Sequence, residues 1–137
     1  MNVLARIEIA ALMAGIFAPG VWAGDFDGSH PFLCAPIEIT SCSADEGCES
    51  ETAESINLPQ FLAVDLEQKA ITGKRPGGEL LSTAILTRHQ DKGRLVLQGT
   101  ENGLSWTMSV DENEGRMTIV AAGDRLAVMA FGSCIRR

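Results

Sequence analysis

Leu104, Trp106, Met108 and Val110 alternate with Ser105, Thr107, Ser109 and Asp111, a period of two that predicts a β-strand with one apolar and one polar face. Met117, Ile119 and Ala121 alternate in the same way with Arg116, Thr118 and Val120. Between the two runs lies Asp111 to Gly115, a hairpin-length turn whose glycine can take a positive φ. Arg94 to Gln98 predicts another strand, joined to the Trp106 strand through Thr100-Glu101-Asn102-Gly103, where Asn-Gly is a strong turn signal. Thr83 to His89 reads as one strand entering the turn Gln90-Asp91-Lys92-Gly93, and Phe61 to Leu66 with Ala70 to Thr72 makes a first, less regular pair. Leu126 to Phe131 is apolar on both faces, the pattern of a strand that is central or covered on both sides.

No helical period of any length appears. Six or seven strands at intervals of about ten residues predict an all-β fold, an antiparallel meander forming a small barrel or curved sheet. Residues 24 to 60 show no such alternation and are expected to be mostly irregular, with one short helical turn near Ala53 to Ile56, packed on the strands and stapled there by disulfides.

The first 23 residues change how the cysteines are understood. Arg6 gives a positive n-region, Ile7 to Ala18 are apolar apart from Glu8, and Val21-Trp22-Ala23 puts small residues at the two positions a signal peptidase inspects. The apolar core is too short for the ~20 residues of a membrane-spanning helix, and Pro19-Gly20 breaks it. The expectation is a cleavable signal peptide over 1–23, a mature chain starting at Gly24, and a periplasmic or extracellular location with no membrane insertion after cleavage. Residues 24–60 form the acidic cysteine-containing segment and 61–137 the β domain, together one folded unit.

In an oxidising compartment, four cysteines read most simply as two disulfides. Their spacing matches neither zinc pairs nor a redox C-x-x-C. The favoured pairing is Cys42 with Cys48, around a short loop with Gly47 at its return, and Cys34 with Cys134, tying the start of the domain to its end. Cys48 with Cys134 and Cys34 with Cys42 remains open as the alternative.

Charge divides the chain. From Gly24 to Glu67 there are ten carboxylates and no lysine or arginine, whereas Gln68 to Arg137 carries ten basic and seven acidic side chains. Asp45, Glu46, Glu49, Glu51 and Glu54 form the densest cluster, either a solvated loop or a partner-binding loop. It lacks the D-x-D-x-D-G register of a calcium loop, and the chain offers no contiguous basic face for nucleic acid. No metal or cofactor is expected.

No catalytic constellation is legible. His30 and His89 sit in no metal or triad motif, and G-x-S-x-G, phosphate-loop and dinucleotide signatures are missing. Asp65, the one charge in Phe61 to Leu66, belongs either to an exposed face or to a buried pair with Arg88 or Arg94. Leu104, Trp106, Met108 and Met117 form either filled core or the lining of an apolar pocket. Phe26, Phe32, Phe61, Phe131 and Trp106 are the aromatic side chains of the mature chain, and tyrosine is lacking.

Gln98-Gly99 to Gly103, Trp106, Gly115-Arg116-Met117 and Phe131-Gly132-Ser133-Cys134 resemble a type of small, uncharacterised exported bacterial protein over roughly 61–134. The resemblance implies an envelope location and a single domain, and brings no activity with it. Two function classes follow from the residues. The first is a non-catalytic binding or interaction protein whose partner is an envelope or extracellular protein. The second is a small-ligand-carrying β-barrel with its pocket near Trp106, and an enzyme is the third choice.

Overall fold

Two-residue turns organise the C-terminal part of the chain. Lys92-Gly93 and Asn102-Gly103 both take left-handed backbone at both positions, with φ of 46° and 77° and of 47° and 82°. That geometry matches the twist of antiparallel strands and closes tight hairpins. The computed structural model describes residues 24–137, and its described elements are all strands. They are β1 (Phe32–Ser43), β2 (Gly47–Glu51), β3 (Leu62–Asp65), β4 (Ala70–Lys74), β5 (Leu80–Ala84), β6 (Thr87–Asp91), β7 (Arg94–Glu101), β8 (Leu104–Asp111), β9 (Arg116–Gly123) and β10 (Leu126–Arg136). The expected signal peptide, residues 1–23, lies outside the described residues.

The ten strands form one antiparallel sheet in the order β5-β4-β3-β1-β10-β9-β8-β7-β6, with β2 added to β1. β6 to β10 are a plain meander. Its last strand then pairs along its length with β1, from Phe32 opposite Arg136 to Ser43 opposite Leu126, so the two ends of the domain meet in mid-sheet. The sheet curls into a half-barrel around one concave core: Phe32, Leu62, Val64, Leu95, Leu97, Met108, Val110 and Met117 are each at most 2 % exposed. At ~25 cal/mol per Å² of apolar surface, this buried set is the main source of stability.

The open side is clamped by a short polar chain. The Trp106 indole N–H donates to Thr83 Oγ1 at 3.1 Å, and that hydroxyl donates to the Thr100 carbonyl at 3.3 Å, linking β5 to β7 and β8. Trp106 fits there because Gly99 lies opposite it; a Cβ at position 99 would collide with the indole.

Two expectations are corrected. Residues 24–60 are less irregular than expected: they supply β1, which is central, and β2, while 24–31, 44–46 and 52–60 lie outside strands. The alternation of β1 is disguised by a bulge between Pro36 and Glu38, which brings Phe32, Cys34 and Ile39 to the same buried side although Cys34 and Ile39 are separated by an odd number of residues. Pro36 is tolerated because the β3 pairing ends at Cys34 and the β2 pairing begins at Ile39, leaving that stretch with a strand neighbour on one side only. Where a short helical turn near Ala53 to Ile56 was expected, residues 53–57 form a turn, closed by Leu58 N–H to the Ala53 carbonyl at 2.8 Å.

Thr83 to His89 is likewise not one strand. The chain crosses at Ile85-Leu86 from the β4 side to the β7 side, the Ile85 N–H donating to the Lys69 carbonyl and the Leu86 N–H to the Gln98 carbonyl. β10 is central, as its two-sided hydrophobicity allows, and on its convex face Met129 and Phe131 are exposed.

Both disulfides follow the favoured pairing, Cys34–Cys134 and Cys42–Cys48. Each bridges residues directly opposite in register, the first between β1 and β10, the second between β1 and β2. Two closed disulfides indicate an oxidising, non-cytoplasmic compartment. No helix among the described residues is long and apolar enough to cross a membrane.

Candidate functional site

Strand register sorts the side chains of β9, β10 and β1 into two sets. Ala130 lies between Ile39 and Ile119, and Gly132 between Pro36 and Met117; these rows face the core. The intervening rows place Phe131 between Glu38 and Thr118, and Met129 between Thr40 and Val120, on the convex face. There the apolar side chains stay in solvent. Ile37 is 67 % exposed, Ile135 64 %, Phe131 47 %, Val120 40 % and Met129 39 %.

These residues form a stripe along the middle of the sheet. A shallow groove crosses it, lined by Ile37, Glu38, Phe131, Thr118, Arg94 and Arg116. Arg116 is held at the rim by Glu114, 3.0 Å away. Contiguous apolar surface rimmed by charge is the usual form of an interaction site, whereas single exposed apolar residues need no explanation.

The stripe runs directly into the acidic hairpin, because Met129 is opposite Thr40 and Thr40 opposite Ser50 of β2. The hairpin is ordered rather than a loose loop. Asp45 pairs with Arg125 of the β9–β10 turn, and the Ala44 N–H donates to the Arg125 carbonyl. The Ser55 hydroxyl donates to Glu51 Oε2 at 2.6 Å and the Ser41 hydroxyl to Oε1 at 2.7 Å. Those two bonds hold the Glu51 carboxyl below its usual pKa, Ser55 contributing most.

Glu46, Glu49 and Glu54 are exposed and make no ion pair among the described residues. Of the five carboxylates expected to form one cluster, Asp45 and Glu51 are therefore structural anchors of the hairpin. The other three face solvent.

The remaining candidates have structural roles. Trp106, Met108 and Met117 are core residues and Leu104 is half-buried, so the apolar set near Trp106 is packed rather than lining a pocket; only Met117 borders the convex groove. Asp65 is half-buried at the end of β3, its carboxylate accepting the Gln68 N–H at 3.0 Å in the β3–β4 turn. His89 is exposed on β6, and the His30 ring lies 3.0 Å from the Ser29 hydroxyl on the surface. Arg88 donates to the Asp27 carbonyl at 2.8 Å, fastening the N-terminal segment whose Phe26 packs edge-on against Phe32. Asp27 and Asp111 are both held below the usual carboxylate range, the first by Ser29 and the second by the backbone N–H groups of Glu114 and Asn113.

Among the described residues, no cluster of three or more histidine, cysteine or carboxylate side chains is arranged to hold a metal ion. Comparison with protein-family models, curated proteins and solved structures gave no match.

The convex stripe escaped the sequence reading. Its signal was there in the two-sided hydrophobicity of 126–131, which fits a doubly covered strand as well as a strand with one face left for a partner.

Proposed function

We propose that this chain is an exported, non-catalytic interaction protein of the bacterial cell envelope, which binds a basic partner protein across its convex stripe and acidic hairpin. The observation that carries the reading is the stripe itself. Five large apolar side chains stay exposed on one face of a sheet whose other face already holds a complete core. Folding gives no reason to keep them in water, and a partner does.

Charge selects the kind of partner. Glu46, Glu49 and Glu54 are exposed on and just beyond the hairpin that adjoins the stripe, in a segment that has ten carboxylates and no lysine or arginine between Gly24 and Glu67. Such a field accelerates encounter with a basic surface and weakens with salt, while the apolar stripe supplies affinity. The leader over residues 1–23 supports export to the periplasm or beyond, and the disulfides agree with that address.

Capture from a bacterial envelope extract, with the oxidised mature domain as bait, tests the reading. Phe131→Ser with Met129→Ser is expected to abolish capture at any salt. Glu46→Gln, Glu49→Gln and Glu54→Gln together are expected to weaken it at low salt and remove its salt dependence. Capture that survives both sets of changes would overturn the assignment of the surface. A mature N-terminus other than Gly24 would overturn the export route.

A further inference from the structure

The two disulfides sit in opposite environments. Cys34 is 0 % exposed and Cys134 5 %, on the concave side within the core. Cys48 is exposed and Cys42 half-buried, on a hairpin whose outer strand has β1 as its one strand neighbour. A thiolate must approach a sulfur along the S–S axis to displace its partner, so access decides which bond exchanges.

We propose that Cys42–Cys48 is a thiol-exchange site taken by uncharged dithiols, while Cys34–Cys134 is permanent. This goes beyond the partner-binding reading and does not depend on it. In the first step a reagent thiolate attacks Cys48 Sγ; the Cys42–Cys48 bond breaks, and Cys42 leaves as a thiolate that takes up a proton. The second thiol of the same reagent then attacks the mixed disulfide and releases Cys48. Two electrons pass from the dithiol to the protein, giving two cysteine thiols and a cyclic disulfide.

The surroundings choose the reagent. Glu46 lies in the hairpin turn two residues before Cys48 and Glu49 directly after it on the other face of β2, neither in an ion pair among the described residues, while Asp45 is paired with Arg125. Negative charge on this hairpin repels an anionic thiol such as glutathione and leaves a neutral dithiol unaffected, and salt screens the repulsion. Once the bond opens, β2 is attached to the sheet through its five-residue pairing with β1 and the hairpin anchors. Its departure would expose the β1 edge over Ile39 to Ser43 for strand addition, without disturbing the core.

Native oxidised protein, exposed to dithiothreitol or glutathione at neutral pH and quenched with iodoacetamide at intervals, gives the answer by peptide mass spectrometry. Labelling of Cys42 and Cys48 should run at least about tenfold ahead of Cys34 and Cys134. Glutathione should lag dithiothreitol, and both added NaCl and the variant Glu46→Gln with Glu49→Gln should raise its rate. Equal rates at the two disulfides would overturn the exchange site. A glutathione rate indifferent to salt and to the two glutamines would overturn its selectivity.

Discussion

The concave and convex faces of this sheet are built from the same strands, residue by residue in alternation, yet they differ in what remains in water. On the concave face Leu95, Leu97, Met108 and Val110 are wholly buried; on the convex face Phe131 and Met129, in the central strand, are 47 % and 39 % exposed. The first face therefore determines stability. The second contributes little to it, and the persistence of apolar side chains there needs a separate cause, which the proposed partner binding would supply. Each face also carries its own disulfide, buried on the inside and exposed on the outside, so the division extends to covalent chemistry.

The largest effect should come from the buried disulfide. Cys34→Ser with Cys134→Ser opens a ring with a sequence separation of 100, and the loop-entropy relation gives a loss of about 4 to 5 kcal/mol. Urea denaturation would read it as a large fall in midpoint. Trp106→Ala comes next, at about 3 to 5 kcal/mol, since it leaves a cavity and takes away the partner of Thr83. Thermal or urea melts should place these two variants close together, and a small effect from either would break the claim that the concave side determines stability.

Opening the hairpin is expected to matter less. Cys42→Ser with Cys48→Ser removes a ring with a sequence separation of 6, worth about 2 kcal/mol by the same relation. Hydrogen exchange should show the loss confined to β2 and the adjacent edge of β1. A global loss equal to that of the buried disulfide would erase the distinction between the two faces.

Acid should loosen the same hairpin. The Glu51 carboxyl is below its usual value of 4.5 when folded, because Ser55 and Ser41 donate to its charged form. A depressed folded pKa stabilises above the unfolded value, and that contribution disappears as pH falls through the folded one. Protection of the β2 amides should therefore decline as pH drops below about 4.5, and Glu51→Gln should flatten that part of the decline. A hairpin whose protection does not change on acidification would show that the two serine contacts do not secure it.

Much of the fold was legible because hairpins advertise themselves. The strands around Trp106 and Met117 appear where their period of two places them, and Lys92-Gly93 and Asn102-Gly103 fall at turns in the sequence and in the molecule. The observed disulfides match the favoured pairing, whose alternative the sequence left open, because Gly47 permits the short return from Cys42 to Cys48. β1 was not, since its bulge at Ile37 shifts the alternation by one residue and Pro36 argues against a strand unless the lack of a neighbour on one edge is known. Ile85-Leu86 was missed for a similar reason: a crossing between two halves of a sheet is a tertiary event with no local period.

The candidate site was less legible than the fold. Five acidic residues form one cluster in sequence, but tertiary contacts from Arg125, Ser41 and Ser55 divide them into anchors and free charges. The convex stripe draws on β1, β9 and β10, which are neighbours only once the two chain ends have paired.

The most direct test of the division between faces measures stability and binding on one variant, Phe131→Ser with Met129→Ser, each replacement on a half-exposed convex side chain. Its unfolding free energy, read by urea denaturation, should stay within about 0.5 kcal/mol of the parent while capture of the basic partner is lost. A variant that loses several kcal/mol of stability, or that still captures the partner, would contradict the account.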